Sequence, residues 1–300
     1  ILGANMEKRK RPKNYIRNYP CFYDPERYVN SDGVFEETDL DFPQVYKTAE
    51  GMVSVAEKIK QANDSPLYSI PFCYTVELEA YGGLVSYGDK YVGPRPGAYV
   101  LEDPMDLLKL KRPNPHEGRM GEVIKATRLI KEKGGLVSVS TSGAFLIISG
   151  MMDIVPILMA MRKDKAYLRE VFENMMEFEL DYYKALAQAG ADVISMTELS
   201  MANIFGPEIS EYVVKNYLYP FFKEAEKIDG PALHMCPKST YALVDTGHGT
   251  FEEAPLDSTM TYGLAMVEGA RKGYKIYGRR CIGNIKIDVS PGGLRYIKLK

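Results

Sequence analysis

A histidine and a cysteine two residues apart are the residues of this sequence whose types and spacing most directly suggest chemistry. They lie in the apolar stretch Pro231-Ala-Leu-His234-Met-Cys236-Pro237. Because side chains alternate between the two faces of a strand, His234 and Cys236 would point the same way, about 7 Å apart along the backbone. Zinc binds both side chains, and a catalytic zinc needs one further protein ligand and an open position. The pair therefore suggests two zinc ligands, although buried His and Cys also occur in ordinary protein interiors.

Three glutamates are the other candidates for chemistry. Glu77 and Glu79 follow an apolar run that ends near Phe72, and Glu198 follows the run Val193-Ile-Ser-Met196. Functional sites of α/β folds are built at the carboxyl ends of strands, and carboxylates there can act as general acids or bases. We therefore expect Glu77 and Glu198 to be catalytic. For Glu79 the alternative is a solvated surface carboxylate.

Helices and strands that alternate along the chain must position these residues. Apolar spacing predicts helices over 45–62, 119–133, 164–189 and about 258–272, and another that opens near Pro207. Short apolar or β-branched runs predict strands over 67–72, 136–139, 193–196, 231–237, 251–256 and 274–282. Residues 84–118 are rich in Gly and Pro and are expected to cross the mouth of the fold, with His116 on the surface. This alternation is typical of parallel βαβ construction.

The fold class follows from that alternation and from motifs that the chain lacks. Neither a Gly-x-Gly-x-x-Gly motif nor a P-loop follows the first strand, which disfavours nucleotide-binding folds. We therefore predict a (β/α)8 TIM barrel. In such a barrel Glu198, His234 and a residue near Cys281 would converge on the mouth.

Composition limits the organisation and the partners of the protein. The chain has 300 residues, 45% of them hydrophobic, which suits one large domain over residues 45–300 after an N-terminal arm over 1–44. A formal charge of −2 argues against nucleic acid or an anionic membrane as partner. Four scattered cysteines fit a reducing compartment, and no apolar run reaches 18 residues. We expect a cytoplasmic protein with no membrane partner.

Six short motifs in this order resemble the uroporphyrinogen decarboxylase superfamily, and within it the corrinoid-dependent methyltransferases, over about residues 43–290. They are Pro71-Phe-Cys-Tyr-Thr-Val-Glu-Leu-Glu-Ala-Tyr-Gly, Gly118-Arg119, Gly190-Ala-Asp192, Gly206-Pro-Glu208 with Tyr219-Pro220, His234-Met-Cys236 and Gly283-Asn284-Ile285. The resemblance implies a TIM barrel whose first and last βα units are incomplete or irregular in this chain.

The same resemblance implies ligands and a reaction. In the thiol-methylating branch of the superfamily the His-x-Cys supplies two zinc ligands, which map onto His234 and Cys236. The third ligand there is a cysteine in a Pro-Gly-Cys segment, where this chain has Ser290-Pro-Gly-Gly293, so Cys281 is the candidate replacement. Zinc would deprotonate the acceptor thiol at neutral pH. The methylcorrinoid would be carried by a partner protein.

The resemblance thus implies a zinc-dependent transfer of a methyl group from a methylated corrinoid protein to a thiol or similar acceptor in one-carbon metabolism. Two alternatives stay open. One is a demethylating methyltransferase that passes a methyl group from a small-molecule substrate to a corrinoid protein. The other is a uroporphyrinogen-decarboxylase-like protein, either a decarboxylase or a non-catalytic tetrapyrrole binder. The sequence identifies neither the methyl donor nor the acceptor.

Overall fold

A computed structural model describes residues 33–36, 39–164, 166–198 and 202–300. The α-helices are α1 (Ala49–Asn63), α2 (Val76–Ala80), α3 (Gly118–Glu132), α4 (Ala144–Met151), α5 (Ile154–Lys163), α6 (Ala166–Gln188), α7 (Ala202–Val213), α8 (Tyr219–Ala225), α9 (Pro237–Asp245) and α10 (Tyr262–Arg271). The strands are β1 (Tyr68–Ile70), β2 (Val85–Ser86), β3 (Arg95–Pro96), β4 (Val137–Ser142), β5 (Val193–Thr197), β6 (Ala232–Met235), β7 (Gly249–Glu253), β8 (Met260–Thr261), β9 (Ile276–Tyr277), β10 (Asp288–Val289) and β11 (Arg295–Leu299). Short 3-10 helices cover 44–46, 104–109 and 282–284, and a π-helical segment covers 214–218.

Five parallel strands form the central sheet, in the order β1-β4-β5-β6-β9. Helices separate them along the chain, as the sequence predicts for parallel βαβ units. The register places Ser195 of β5 beside His234 of β6. No strand pairing in the described ranges joins β9 back to β1, so hydrogen bonds do not close this sheet into a ring.

The two faces of the sheet pack against different helices. Helix α6 forms as predicted, and its apolar stripe is buried in the larger core with Ile194 and Leu233. Val193, Ala232 and Tyr277 instead belong to a second apolar cluster, which includes residues of α10. Because side chains alternate along a strand, His234 lies on the face of Ala232, the α10 face.

The last two predicted strands need correction. β7 forms, but it pairs antiparallel with β11 and lies outside the parallel sheet. The strand predicted over 274–282 is limited to Ile276–Tyr277, so the expectation that Cys281 lies on a strand is wrong. At Gly278 the chain turns away with φ 152°, so close to β6 that an added Cβ would lie 2.4 Å from the Met235 carbonyl oxygen. Cys281 follows that turn and precedes the 3-10 helix Ile282–Asn284.

Part of the predicted N-terminal arm packs on the domain. Phe35 is buried in a small cluster with Val45, Tyr46 and residues of α1, and its ring lies 5.4 Å from that of Phe42. Residues 1–32, with the basic run over 8–13, lie outside the described residues. The domain boundary at residue 45 stays a prediction.

Within the described residues, no single helix has both the length and the apolar character needed to cross a membrane. Helices α4 and α5 meet that test only when taken together, and they are bent by 118° relative to each other.

Candidate functional site

His234 is fully enclosed on β6, and both of its ring nitrogens have partners. Nδ1 lies 2.8 Å from the Ser195 hydroxyl, and Nε2 lies 2.9 Å from the Arg280 carbonyl oxygen. Because a carbonyl oxygen only accepts, Nε2 carries the hydrogen and Nδ1 accepts from Ser195. Burial lowers the pKa of His234 to about 4. The ring is therefore neutral near pH 7, with its lone pair on Nδ1.

The carboxyl ends of several strands bring three cysteines near one tyrosine. Cys236 follows β6, Cys281 lies beyond β9, and both are partly exposed. Tyr74 follows β1, and burial of its hydroxyl raises its pKa. The Cys281, Cys236 and Cys73 thiols raise that pKa further, while a hydrogen bond with Thr197 lowers it. Cys236 and Cys281 thus both lie near the Tyr74 hydroxyl, at one end of the sheet.

Glu77 and Glu79 follow β1 but face different groups. Glu77 is buried in α2, where its Oε1 accepts the Ser142 N–H at 3.2 Å, and burial raises its pKa to about 7. Glu79 pairs with the buried Arg119 at 2.7 Å and accepts a hydrogen bond from the Tyr87 hydroxyl. Glu79 is therefore held in an ion pair although its side chain is 35% exposed, and the two glutamates bond to different groups. His116 is exposed, as predicted.

Glu198 lies at the end of β5 and holds the start of α4. It is fully buried, and its Oε2 accepts the Phe145 N–H at 3.1 Å. Gly143 precedes α4, and a Cβ added there would lie only 2.3 Å from Oε2. The turn over 141–145 therefore has room for the Glu198 carboxylate because residue 143 has no Cβ. A negative charge at this end of a helix is stabilised by the helix dipole.

The family model for uroporphyrinogen decarboxylase (URO-D) matches residues 18–286. The chain belongs to the URO-D family. This confirms the superfamily resemblance that the six motifs indicate.

Named relatives of this URO-D protein are methyltransferases of Methanosarcina species. Methylcobamide:CoM methyltransferase MtbA of Methanosarcina acetivorans is 26% identical over 69% of this chain and 62% of its own length. MtbA of Methanosarcina mazei is 25% identical over 76% of this chain and 69% of its own length. Methylcobamide:CoM methyltransferase MtaA of Methanosarcina barkeri is 22% identical over 90% of this chain and 80% of its own length. The chain thus spans less than two thirds of the first of these relatives.

A solved structure supports the fold of the URO-D protein. It is described as a methyltransferase from Methanosarcina mazei and superposes with a TM-score of 0.60 at 21% identity, covering 71% of this chain and 64% of that one. Together with the parallel sheet, this match confirms the predicted α/β fold of the TIM-barrel class. The first and last βα units of the parallel sheet are irregular, since β1 has three residues and β9 has two.

The site supplies suitable zinc donors but not a complete set in this conformation. His234 is neutral and donates from Nε2 to a backbone carbonyl, an arrangement common in metal-bound histidines. Cys236 would be the second donor. However, the described residues contain no group of three His, Cys, Asp or Glu side chains placed to hold a metal ion. Metal binding at Nδ1 would require the Ser195 hydroxyl to move away and a third donor to approach.

The sequence does not single out two further buried residues of the URO-D protein, Glu179 and Tyr217. Glu179 is buried in α6, and both of its carboxylate oxygens accept the Tyr217 hydroxyl at 2.7 Å. The Ala144 N–H in turn donates to the Tyr217 oxygen at 2.9 Å. Burial raises the pKa of Glu179 well above its usual range, and the charges of Glu198 and Glu77 raise it further. The sequence feature that could have indicated Glu179 is its position, four residues after the buried Met175 on the apolar stripe of α6.

Proposed function

We propose that this URO-D family protein transfers a methyl group from a methylated corrinoid protein to a small thiol. Three named relatives are methylcobamide:CoM methyltransferases, which supports a corrinoid-dependent reaction. The observation that carries the proposal is the placement of Cys236 and Cys281 near the Tyr74 hydroxyl, at the carboxyl ends of neighbouring strands. In barrel folds that end is where substrates react.

Zinc is the cofactor in this proposal, with His234 and Cys236 as ligands and Cys281 as the candidate third ligand. Bound zinc would keep a coordinated thiol deprotonated near neutral pH. The surroundings of His234 and Cys236 suit this role. The Arg280 carbonyl fixes the His234 ring, and burial keeps that ring neutral. Cys236 is the N-cap residue of α9, at the positive end of that helix.

The predicted catalytic glutamates take two different roles in this proposal. Glu77 has a pKa raised to about 7, so it can accept or release a proton near neutral pH. Its contact with Ser142, at the end of β4, supports a role beside the mouth. Glu198 acts as a positioning residue, because its carboxylate holds the start of α4 through Phe145.

Zinc content tests the ligand assignment. Purified protein should hold about one zinc per chain by elemental analysis, and Cys236→Ala and His234→Ala should each lose most of it. His248→Ala is the matched control, because His248 is only partly buried and bonds to Thr246 at 3.0 Å, past the end of α9 that is far from Cys236. Full zinc occupancy in Cys236→Ala would refute the zinc site. Retained zinc in Cys281→Ala would refute Cys281 as the third ligand.

Methyl transfer tests the reaction itself. Zinc-loaded protein should demethylate methylcobalamin in the presence of a small thiol, followed by the change in cobalamin absorbance. His248→Ala should retain this activity, and Cys236→Ala should lose it. If the protein instead moves a methyl group from a methylated substrate to reduced corrinoid and none to a thiol, the proposed direction is wrong.

A further inference from the structure

The ring of His234 is enclosed by groups from three different parts of the chain. Ser195 lies opposite it in the register of β5 and β6, and the Ser195 hydroxyl is 2.8 Å from Nδ1. The Arg280 carbonyl oxygen is 2.9 Å from Nε2, and the ring centroid of Tyr262, the first residue of α10, lies 6.3 Å from that of His234. His234 and Ser195 are each 1% exposed. Protein groups therefore occupy both ring nitrogens.

The two polar contacts of this ring differ in what must move to release them. The Arg280 carbonyl belongs to the backbone just after the Gly278 turn, which is packed so closely that an added Cβ there would lie 2.1 Å from the Thr240 hydroxyl oxygen. The Ser195 backbone is also fixed, because β5 pairs with β4 on one side and with β6 on the other. The Ser195 hydroxyl, however, can leave the ring by rotation about a single side-chain bond, which has three staggered positions.

We propose that Ser195 is a positioning residue that covers the lone pair of His234 Nδ1 and competes with zinc for that atom. This inference rests on the proposed zinc-dependent function, because it concerns a ligand of that metal. A neutral imidazole nitrogen binds zinc through the same lone pair that accepts a hydrogen bond. The hydroxyl and the metal therefore exclude each other at Nδ1, and the hydroxyl has to rotate away before zinc binds.

Removal of the Ser195 hydroxyl should make zinc binding tighter rather than weaker. Before zinc binds, Ser195→Ala contains a buried nitrogen acceptor without a donor, which is an unfavourable state. Zinc supplies a partner for that nitrogen in the variant, whereas in the wild type it must first displace one. A hydroxyl that instead oriented His234 for the metal would have the opposite effect, because loss of such an outer partner weakens metal binding by about 10- to 100-fold.

Competition with a chromophoric zinc chelator measures the affinity, and zinc alone is the added ligand. We expect Ser195→Ala to bind zinc about 2- to 10-fold more tightly than the wild type does, as for the loss of one competing neutral hydrogen bond. Thr127→Val is the matched control and should bind zinc as the wild type does, because the buried Thr127 hydroxyl bonds to the Val123 carbonyl within α3. Weaker zinc binding by Ser195→Ala would overturn the competition and make Ser195 a support of the ligand.

Nitrogen-15 NMR of protein stripped of metal tests the contact without zinc. The chain has three histidines, so substitution of His116 and His248 assigns the ring signals. In Ser195→Ala the Nδ1 signal of His234 should move downfield, toward that of a nitrogen that accepts no hydrogen bond, while Nε2 keeps its hydrogen. Unchanged His116 and His248 signals would show that the variant is folded. An unchanged Nδ1 signal in that folded variant would show that Ser195 does not cover this nitrogen.

The zinc measurements separate failure of this inference from failure of the proposed function. If the wild type and Ser195→Ala bind zinc equally well, the zinc site stands and the competition is wrong. If the variant binds zinc and the wild type does not, the hydroxyl blocks the metal, which supports the competition and contradicts the zinc content expected of the wild type. If neither protein binds zinc, the zinc site and the competition both fail.

Discussion

Replacement of Gly143 by alanine tests whether Glu198 really holds the start of α4. Gly143 has φ −83° and ψ 170°, a backbone conformation that alanine adopts without strain. The added Cβ would lie 2.3 Å from Glu198 Oε2 and 2.9 Å from Cδ. Because Glu198 is fully buried, its carboxylate can make room only by leaving its hydrogen bond with the Phe145 N–H.

The expected cost has two parts. Overpacking a buried site costs about 1–3 kcal/mol, and leaving the buried Phe145 N–H without an acceptor costs about 1–3 kcal/mol more. Gly143→Ala should therefore lower the free energy of unfolding by about 2–6 kcal/mol. Glu198→Ala alone should cost less than that, because it loses the hydrogen bond but creates no clash.

Urea denaturation followed by circular dichroism measures these changes. Gly93→Ala is the matched control, because its added Cβ would meet nothing closer than 3.8 Å, and it should stay within about 0.5 kcal/mol of wild type. In the double variant Gly143→Ala/Glu198→Ala the clash is gone, so the two effects should not add, with a coupling of about 1 kcal/mol or more. A urea midpoint of Gly143→Ala equal to that of the wild type, or additive changes in the double variant, would refute the steric conflict between the added Cβ and Glu198.

Three further predictions concern polar side chains that bond to distant parts of the chain. The raised pKa of Glu77, about 7 against 4.5, means that the folded state favours the protonated acid, so stability should fall by about 3 kcal/mol between pH 4.5 and 7. Glu77→Gln should remove that part of the pH dependence of the urea midpoint. An unchanged pH dependence would show that the pKa of Glu77 is not the cause. Asp192→Ala should cost about 2–3 kcal/mol in urea denaturation, because Asp192 accepts the Val137 N–H at 2.8 Å, and a change below 0.5 kcal/mol would contradict this. Tyr217→Phe should lower the melting temperature, since Glu179 loses the hydroxyl that donates to both of its oxygens, whereas an unchanged melting temperature would show another donor replacing it.

The sequence by itself determined the family, the alternation of helices and strands, and the local elements with strong periodicity. Helix α6 forms where its apolar stripe predicts it, because an amphipathic face 23 residues long has few other ways to be buried. β6 forms where the run before Cys236 predicts it, since continuous apolar character suits a strand covered on both faces. These features depend on neighbours in the chain, which a sequence displays directly.

The tertiary structure alone decided what surrounds each polar side chain. The ring nitrogens of His234 meet Ser195 and the Arg280 carbonyl, groups 39 and 46 residues away in the chain. The short length of β9 also depends on distant groups, because the turn at Gly278 packs against Met235 and Thr240. No local pattern encodes such contacts.

The same reason separates the glutamates. Glu77 and Glu79 are neighbours in sequence, yet one bonds to β4 and the other to Arg119 on α3. Glu198 is a helix-capping carboxylate because α4 begins beside it, 53 residues earlier in the chain. Side-chain type and spacing indicate which residues can do chemistry, but burial and long-range partners decide which of them are held in structural contacts, since both arise only when distant segments pack together.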